Sequence, residues 1–212
     1  MDMQAAALEG SHADISPKRR QIVAAAEALF LAHGYGAVSM DAIARAAHVS
    51  KATLYSHFAS KDALFAGIMR ETGSDNPIQM DLFPADVPDL RAQLARIGQS
   101  VLRFMLRDRT LSIYRVTMAE SARFPELGRV FYENGPHRFC ERFCAWVGEQ
   151  VAAGRLVAGD VPTASHQFMA LLRSAVFLRA TLALQPPPSQ DEIDQTVDAA
   201  VDTFLKAFGP PG

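Results

Sequence analysis

The sequence has only two cysteines in 212 residues and no Asn-x-Ser/Thr acceptor, so nothing in it points to a disulfide framework or a secreted glycoprotein. No apolar run approaches the roughly 18 residues of a membrane span, because Asp or Arg interrupts each one. The N-terminus, MDMQAAALEGSHAD, carries acids where a signal peptide needs basic residues, and its apolar run reaches only from Ala5 to Leu8. Strand alternation and internal repeats are missing. So are the P-loop, Gly-x-Gly-x-x-Gly, His-Glu-x-x-His, Gly-x-Ser-x-Gly and Cys-x-x-Cys signatures, so neither an enzyme nor a cofactor or metal site is expected. The remaining composition, 49% hydrophobic and 21% charged, is that of a globular protein, expected to be cytoplasmic and without a membrane partner.

Net charge is also scarce, at −2, but its distribution is uneven. Residues 17–72 hold seven basic and four acidic side chains, while residues 1–16 carry −3 and residues 73–212 carry −2. Such asymmetry marks either a nucleic-acid module beside a neutral one or a solvated face.

Helical periodicity runs through the chain, and the expected class is all-α. Residues 1–15 lack it and form a tail. Ser16-Pro17 reads as an N-cap and first helical residue, with Ile22, Ala26, Leu29 and Phe30 on one face and Gly34 ending the helix. Ser39, Ser50 and Ser60 can cap three further helices, to about Ala47, Phe58 and Glu71. The domain expected at 16–72 ends at Gly73-Ser74-Asp75-Asn76-Pro77. In the domain expected at 73–212, Leu90 to Met105 and Leu111 to Met118 mark two helices. Pro125 starts another that Gly135-Pro136 breaks. Thr163 to Leu184 is a strongly apolar helical run stopped by Pro186-Pro187-Pro188, and Asp191 to Phe208 closes the chain.

The helices at 40–47 and 51–58, joined by about three residues, have helix-turn-helix dimensions. Leu54 and Phe58 would face the core, leaving Lys51, Ala52, Thr53, Tyr55, Ser56 and His57 outside. Those side chains suit phosphates, base edges and thymine methyls, and Lys61 adds a cation nearby. A polar helical hairpin packed on a larger body has the same dimensions.

The run from Ile22 to Lys61 resembles the N-terminal DNA-binding domain of the tetracycline-repressor (TetR) family. The phrase VSKATLYSHFASKDALF carries most of the match, with Ile22, Ala25, Ala26, Phe30, Gly34, Tyr35, Ile43, Ala44, Ala47 and Leu64 around it. The segment Ala119 to Leu127 resembles the C-terminal domain of the AefR-like branch. The resemblance implies three N-terminal helices with a helix-turn-helix, joined by a fourth helix to a larger ligand-binding and dimerisation domain. It implies a homodimeric transcription regulator, usually a repressor, that leaves its operator DNA when a small molecule binds. Ser39, Ser50, Thr53, Tyr55, His57 and Lys61 then become phosphate or base contacts, with Met40 and His48 beside them. Lys51, Ala52 and Ser56 occupy the positions that set sequence preference. His48 departs from the family pattern, which has glycine there, so a positive φ falls on a histidine.

The last two helices of the family pair with their mates. Phe168, Leu172, Ala175, Val176, Val197, Val201, Phe204 and Phe208 are the expected interface; a monomer with both helices folded inward is the alternative. Phe104, Tyr114, Met118, Phe131, Phe143, Trp146, Met169 and Phe177 either line a largely apolar effector pocket or form plain core. Cys140 and Cys144, with His137, offer a redox or metal sensor, or core packing. A reading of another class makes residues 16–71 a scaffold for a helical small-molecule carrier or enzyme.

Overall fold

The computed structural model describes residues 16–74 and 82–210. The tail expected at 1–15, and Asp75-Asn76-Pro77 of the expected boundary, lie outside the described residues. Among the described residues there are eleven α-helices and no strand. They are α1 (Pro17–His33), α2 (Met40–Ala46), α3 (Lys51–His57), α4 (Lys61–Ser74), α5 (Leu90–Met105) and α6 (Asp108–Glu120). Then come α7 (Pro125–Asn134), α8 (Pro136–Ala152), α9 (Val161–Leu172), α10 (Ala175–Thr181) and α11 (Gln190–Phe208). They form two compact units, residues 1–68 and 69–212, so the division falls inside α4.

Serine starts every helix of the first unit. The hydroxyls of Ser16, Ser39, Ser50 and Ser60 accept from the backbone N–H three residues on, at 3.2, 3.2, 3.0 and 3.1 Å. The core is built from Ile22, Val23, Ala26 and Phe30 of α1 with Ile43, Leu54, Phe58, Leu64 and Phe65, all nearly inaccessible to water. Phe30, Tyr35 and Phe65 form an aromatic trio with ring centroids 5.1–6.4 Å apart. At Gly67 a Cβ would come within 2.9 Å of the Phe58 ring, so a side chain there would displace the end of α3.

In the second unit α5 packs against α9 and α11. Gly98 permits the close approach, since a Cβ there would lie 2.9 Å from Val197 and 3.2 Å from Leu172. Leu94, Ile97, Phe143, Trp146, Phe168, Val197 and Phe204 make the centre. Two breaks shape this unit. Gly135 (φ −125°, ψ −95°) separates α7 from α8 at the expected place. The apolar run from Thr163 to Leu184, by contrast, is two helices. The Arg173 N–H is shared between the carbonyls of Met169 and Ala170, and Ser174 is extended (ψ −159°). Serine competes with the helical backbone for hydrogen bonds, which makes it a weak point in an otherwise continuous apolar pattern.

Candidate nucleic-acid interface

The connection between α2 and α3 is a Schellman closure. Val49 N–H bonds the carbonyl of Ala44 at 3.0 Å and His48 N–H that of Arg45 at 3.1 Å. This geometry needs a left-handed residue between them, and His48 supplies it at φ +49°. The turn survives the missing glycine because its hydrogen bonds outweigh the cost of the Cβ, about 1–2 kcal/mol. Ser50 then caps α3, and its hydroxyl also meets that of Thr53 at 2.8 Å.

Seven residues make only two turns, so α3 has one buried and one open face. Leu54 and Phe58 are buried, and Lys51, Ala52, Tyr55 and Ser56 are exposed, Tyr55 to 44%. Thr53 and His57 are half-buried, and Ser56 donates to the Thr53 carbonyl at 2.8 Å. Ser39 at the start of α2 and His48 in the α2–α3 turn are exposed, and Met40 is half-buried. The structure therefore brings ten of the eleven expected DNA-contact residues onto or beside one short helix pair.

Lys61 differs. It is half-buried, and its ammonium donates to the carbonyls of Tyr35 at 2.7 Å and Val38 at 3.0 Å while lying 4.3 Å from the Tyr35 ring centroid. Beside it the Tyr35 hydroxyl donates to Asp62 at 2.5 Å. A cation holding two backbone carbonyls inside its own unit clamps the α1–α2 connection.

Two charged residues near α3 escaped the sequence reading. Asp41 pairs with Lys51 at 2.9 Å, both side chains well exposed. The hydrogen bond to that carboxylate and its charge raise the Lys51 ammonium above its usual value. Arg19 of α1 reaches the end of α3, 38 residues away, where it donates to the His57 carbonyl at 3.3 Å. In the sequence it counted only as one of the seven basic residues of 17–72.

The expected effector residues separate into two aromatic clusters. Tyr114 meets Phe131 and Phe177 edge-on, at 6.0 and 5.3 Å. Phe143 and Trp146 belong to a second cluster with Phe83, Phe139 and Phe168, and the Trp146 indole donates to the Pro84 carbonyl at 2.9 Å. Phe143 and Trp146 are close-packed core, and Met169 and Phe177 are also buried. Phe104 is half-buried. Met118 is 48% exposed.

Most of the expected interface residues are covered within one chain. Phe168, Leu172, Val197, Val201 and Phe204 are buried in the core of their own unit, and Val176 of α10 is buried as well. Ala175 is exposed and Phe208 half-buried. The open side of α9 and α11 holds instead an apolar groove of about 470 Å³, lined by Gln167, Ala170, Leu171, Ser174, Thr203 and Ala207 with edges of Phe204 and Phe208.

Cys140 and Cys144 are free and half-buried, and burial pushes the Cys140 thiol up, away from the thiolate that sensing chemistry needs. Among the described residues no three of His, Cys, Asp and Glu are grouped to hold a metal ion, and no helix is long and apolar enough to cross a membrane.

Two short helices with a tight turn, the second showing a polar, basic and aromatic face, define a helix-turn-helix DNA-binding unit joined to a larger helical one. Comparison gives the family. The model of the tetR family of bacterial regulatory proteins matches residues 22–68, and that of the AefR-like transcriptional repressor C-terminal domain matches residues 92–210. The chain belongs to the TetR family of transcriptional regulators and carries an AefR-like C-terminal domain. It is 27% identical over 188 residues to the uncharacterized HTH-type transcriptional regulator Rv1556 of Mycobacterium tuberculosis, covering 88% of this chain and 87% of the relative. Among solved structures it is similar to the flavonoid-responsive regulator FrrA, with TM-score 0.78 and 35% identity over 92% of this chain and 98% of that one. A TetR-family regulator from Mesorhizobium loti MAFF303099 has the same TM-score, with 28% identity over 91% and 96% of the two chains.

Proposed function

We propose that this DNA-binding regulator is a homodimeric repressor that leaves its operator when a small, largely apolar molecule binds the unit that follows α4. The observation that carries the reading is the open face of α3. Lys51 and Tyr55 reach phosphates there, while Ala52, Thr53 and Ser56 meet base edges, with Ser39, Met40, His48, Ser50 and His57 flanking them. Residues 16–72 serve DNA and residues 73–212 serve ligand and partner.

Dimerisation has a physical motive in the groove on α9 and α11. Its exposed surface is largely apolar, with Ala170, Ser174, Thr203 and Ala207 small enough to let a second pair of helices approach, and a two-fold pair sets two recognition helices about 34–36 Å apart. The effector would enter beside Tyr114, Phe131 and Phe177, the aromatic group that is less completely packed than the Phe143–Trp146 cluster. FrrA is named as flavonoid-responsive, so planar aromatic compounds are the first to screen. Release follows if the ligand prefers the arrangement that DNA does not.

The test is fluorescence anisotropy with DNA from upstream of the protein's own gene against a scrambled duplex, at about 50 and 200 mM salt. Tight, selective binding with a steep salt slope, relieved by an aromatic compound, is the expected result. Equal weak binding of both duplexes would remove the upstream DNA as an operator. Selective binding that no compound weakens would remove the effector.

A further inference from the structure

We propose that Arg19 is a positioning residue for the recognition helix. From α1 it fixes the C-terminal end of α3 and so sets the angle at which Tyr55 and Ser56 meet DNA. The inference rests on the reading of α3 given above.

At seven residues, α3 is too short to hold its own shape or direction. Its N-terminus is fixed by Ser50 and the turn. Its C-terminus has no left-handed closure, because Phe58 is extended (φ −142°, ψ 112°), and the last carbonyls need partners from elsewhere. Arg19 supplies one, donating from Nη1 to the His57 carbonyl at 3.3 Å. The same guanidinium lies 4.2 Å from the Phe58 ring centroid, a cation–π contact. Phe58 in turn presses on α4 at Gly67, where not even a methyl would fit without displacement. Arg19, Phe58 and Gly67 thus lock the end of α3 between α1 and α4.

One feature sets Arg19 apart from an ordinary surface cation: Lys18 and Arg20 on either side of it are exposed, whereas Arg19 is half-buried. The guanidinium meets the ring through its Cζ and the carbonyl through Nη1; a lysine at position 19 is one atom shorter and carries its charge on a single nitrogen, so it keeps the charge without reproducing this two-point geometry.

The experiment uses the full-length protein and two duplexes: one selected by the wild type from a randomised pool, and a scrambled version of it. Affinities are measured across a salt series for Arg19→Lys, Arg19→Ala and Tyr55→Ala, with thermal melting as the folding control. Arg19→Lys keeps the charge, so the expected result is a loss of about threefold or more for the selected duplex with the scrambled duplex and the salt slope unchanged. Arg19→Ala should lose about tenfold on the selected duplex. Full recovery in Arg19→Lys would overturn the proposal. So would an Arg19→Ala variant that weakens both duplexes equally with a salt slope smaller by about one, the signature of a phosphate contact. If Arg19→Ala does not fold, Arg19→Lys decides alone. Unchanged binding by Tyr55→Ala, or a pool that yields no preferred duplex, would overturn the assignment of α3 and the proposal with it. Loss in Tyr55→Ala without loss in the Arg19 variants would overturn the positioning role only.

Discussion

The two units close a helix in the same way with different residues. In the second unit α8 ends in a Schellman closure whose left-handed position is Gly154, at φ +70°, with Arg155 N–H on the Gln150 carbonyl. In the first unit α2 ends identically, but the left-handed position is His48 at φ +49°. α10 of the second unit closes the same way on Ala183, at φ +55°, so backbone strain alone does not mark a DNA face. What sets the α2 closure apart is its side chain: beside α3 the left-handed position carries an exposed imidazole next to the proposed DNA face. The same contrast runs through the charges and aromatics. In the first unit the aromatics that pack on one another are the trio Phe30, Tyr35 and Phe65, while Arg19 and Tyr55 stand at the end and on the face of α3; in the second the aromatics pack on one another around Phe143 and Phe168.

Substitutions should break this contrast in opposite ways. Phe143→Ala empties a fully buried ring site and should cost about 3–5 kcal/mol of stability. Thermal melting checks it, and a shift of less than about 2 °C would mean the cluster is loosely packed. Tyr55→Ala removes a ring that is 44% exposed, so melting should be unchanged while affinity for a selected duplex falls about tenfold or more. A melting shift in Tyr55→Ala larger than its binding loss would mean that α3 is scaffold.

The sequence made the first unit legible in detail because its signals are local. A serine three residues before the N–H it accepts, or a proline at the first helical position, needs no knowledge of the fold. The contacts of Lys61 and Arg19 were not legible because their partners lie 23–38 residues away in sequence. In the second unit the helices were legible and their neighbours were not. An apolar stripe on α9 or α11 says that a face is buried, not whether α5 or a second subunit buries it. Val197 and Leu172 went inward against Gly98, Phe168 and Phe204 went inward against each other and Phe143, and Ala170, Leu171, Thr203 and Ala207 stayed on the open side.

That exchange of faces is itself testable. Ala207→Arg places a long cation in the groove on α9 and α11 without touching the buried stripe. If the groove is the dimer contact, sedimentation should show monomers at concentrations where the wild type is dimeric, and DNA affinity should fall with them. A dimer of undiminished strength would move the contact elsewhere. His48→Gly should raise stability by up to about 1 kcal/mol, because relief of the left-handed strain is partly offset by the freedom glycine gains in the unfolded chain. Lower DNA affinity in the same variant would show that the imidazole reaches a phosphate.

The smallest effect expected is electrostatic and lies at the start of α11. Glu192 completes a capping box with Ser189 and pairs with Arg179 at 2.6 Å. The Ser189 backbone N–H and the Arg179 guanidinium both favour the carboxylate, so its pKa in the folded protein lies below the ordinary 4.5. A carboxyl whose folded pKa is depressed stabilises the fold fully above its unfolded value, and that contribution disappears as pH falls through the folded value. Wild type should therefore lose its advantage over Glu192→Gln as pH drops from about 5 toward 3, and the two should differ most near neutrality. Gln keeps a hydrogen-bonding group at the cap, so the remaining difference isolates the charge. Melting curves of the two proteins across that range check it, and a constant gap would assign the stabilisation to the hydrogen bond instead.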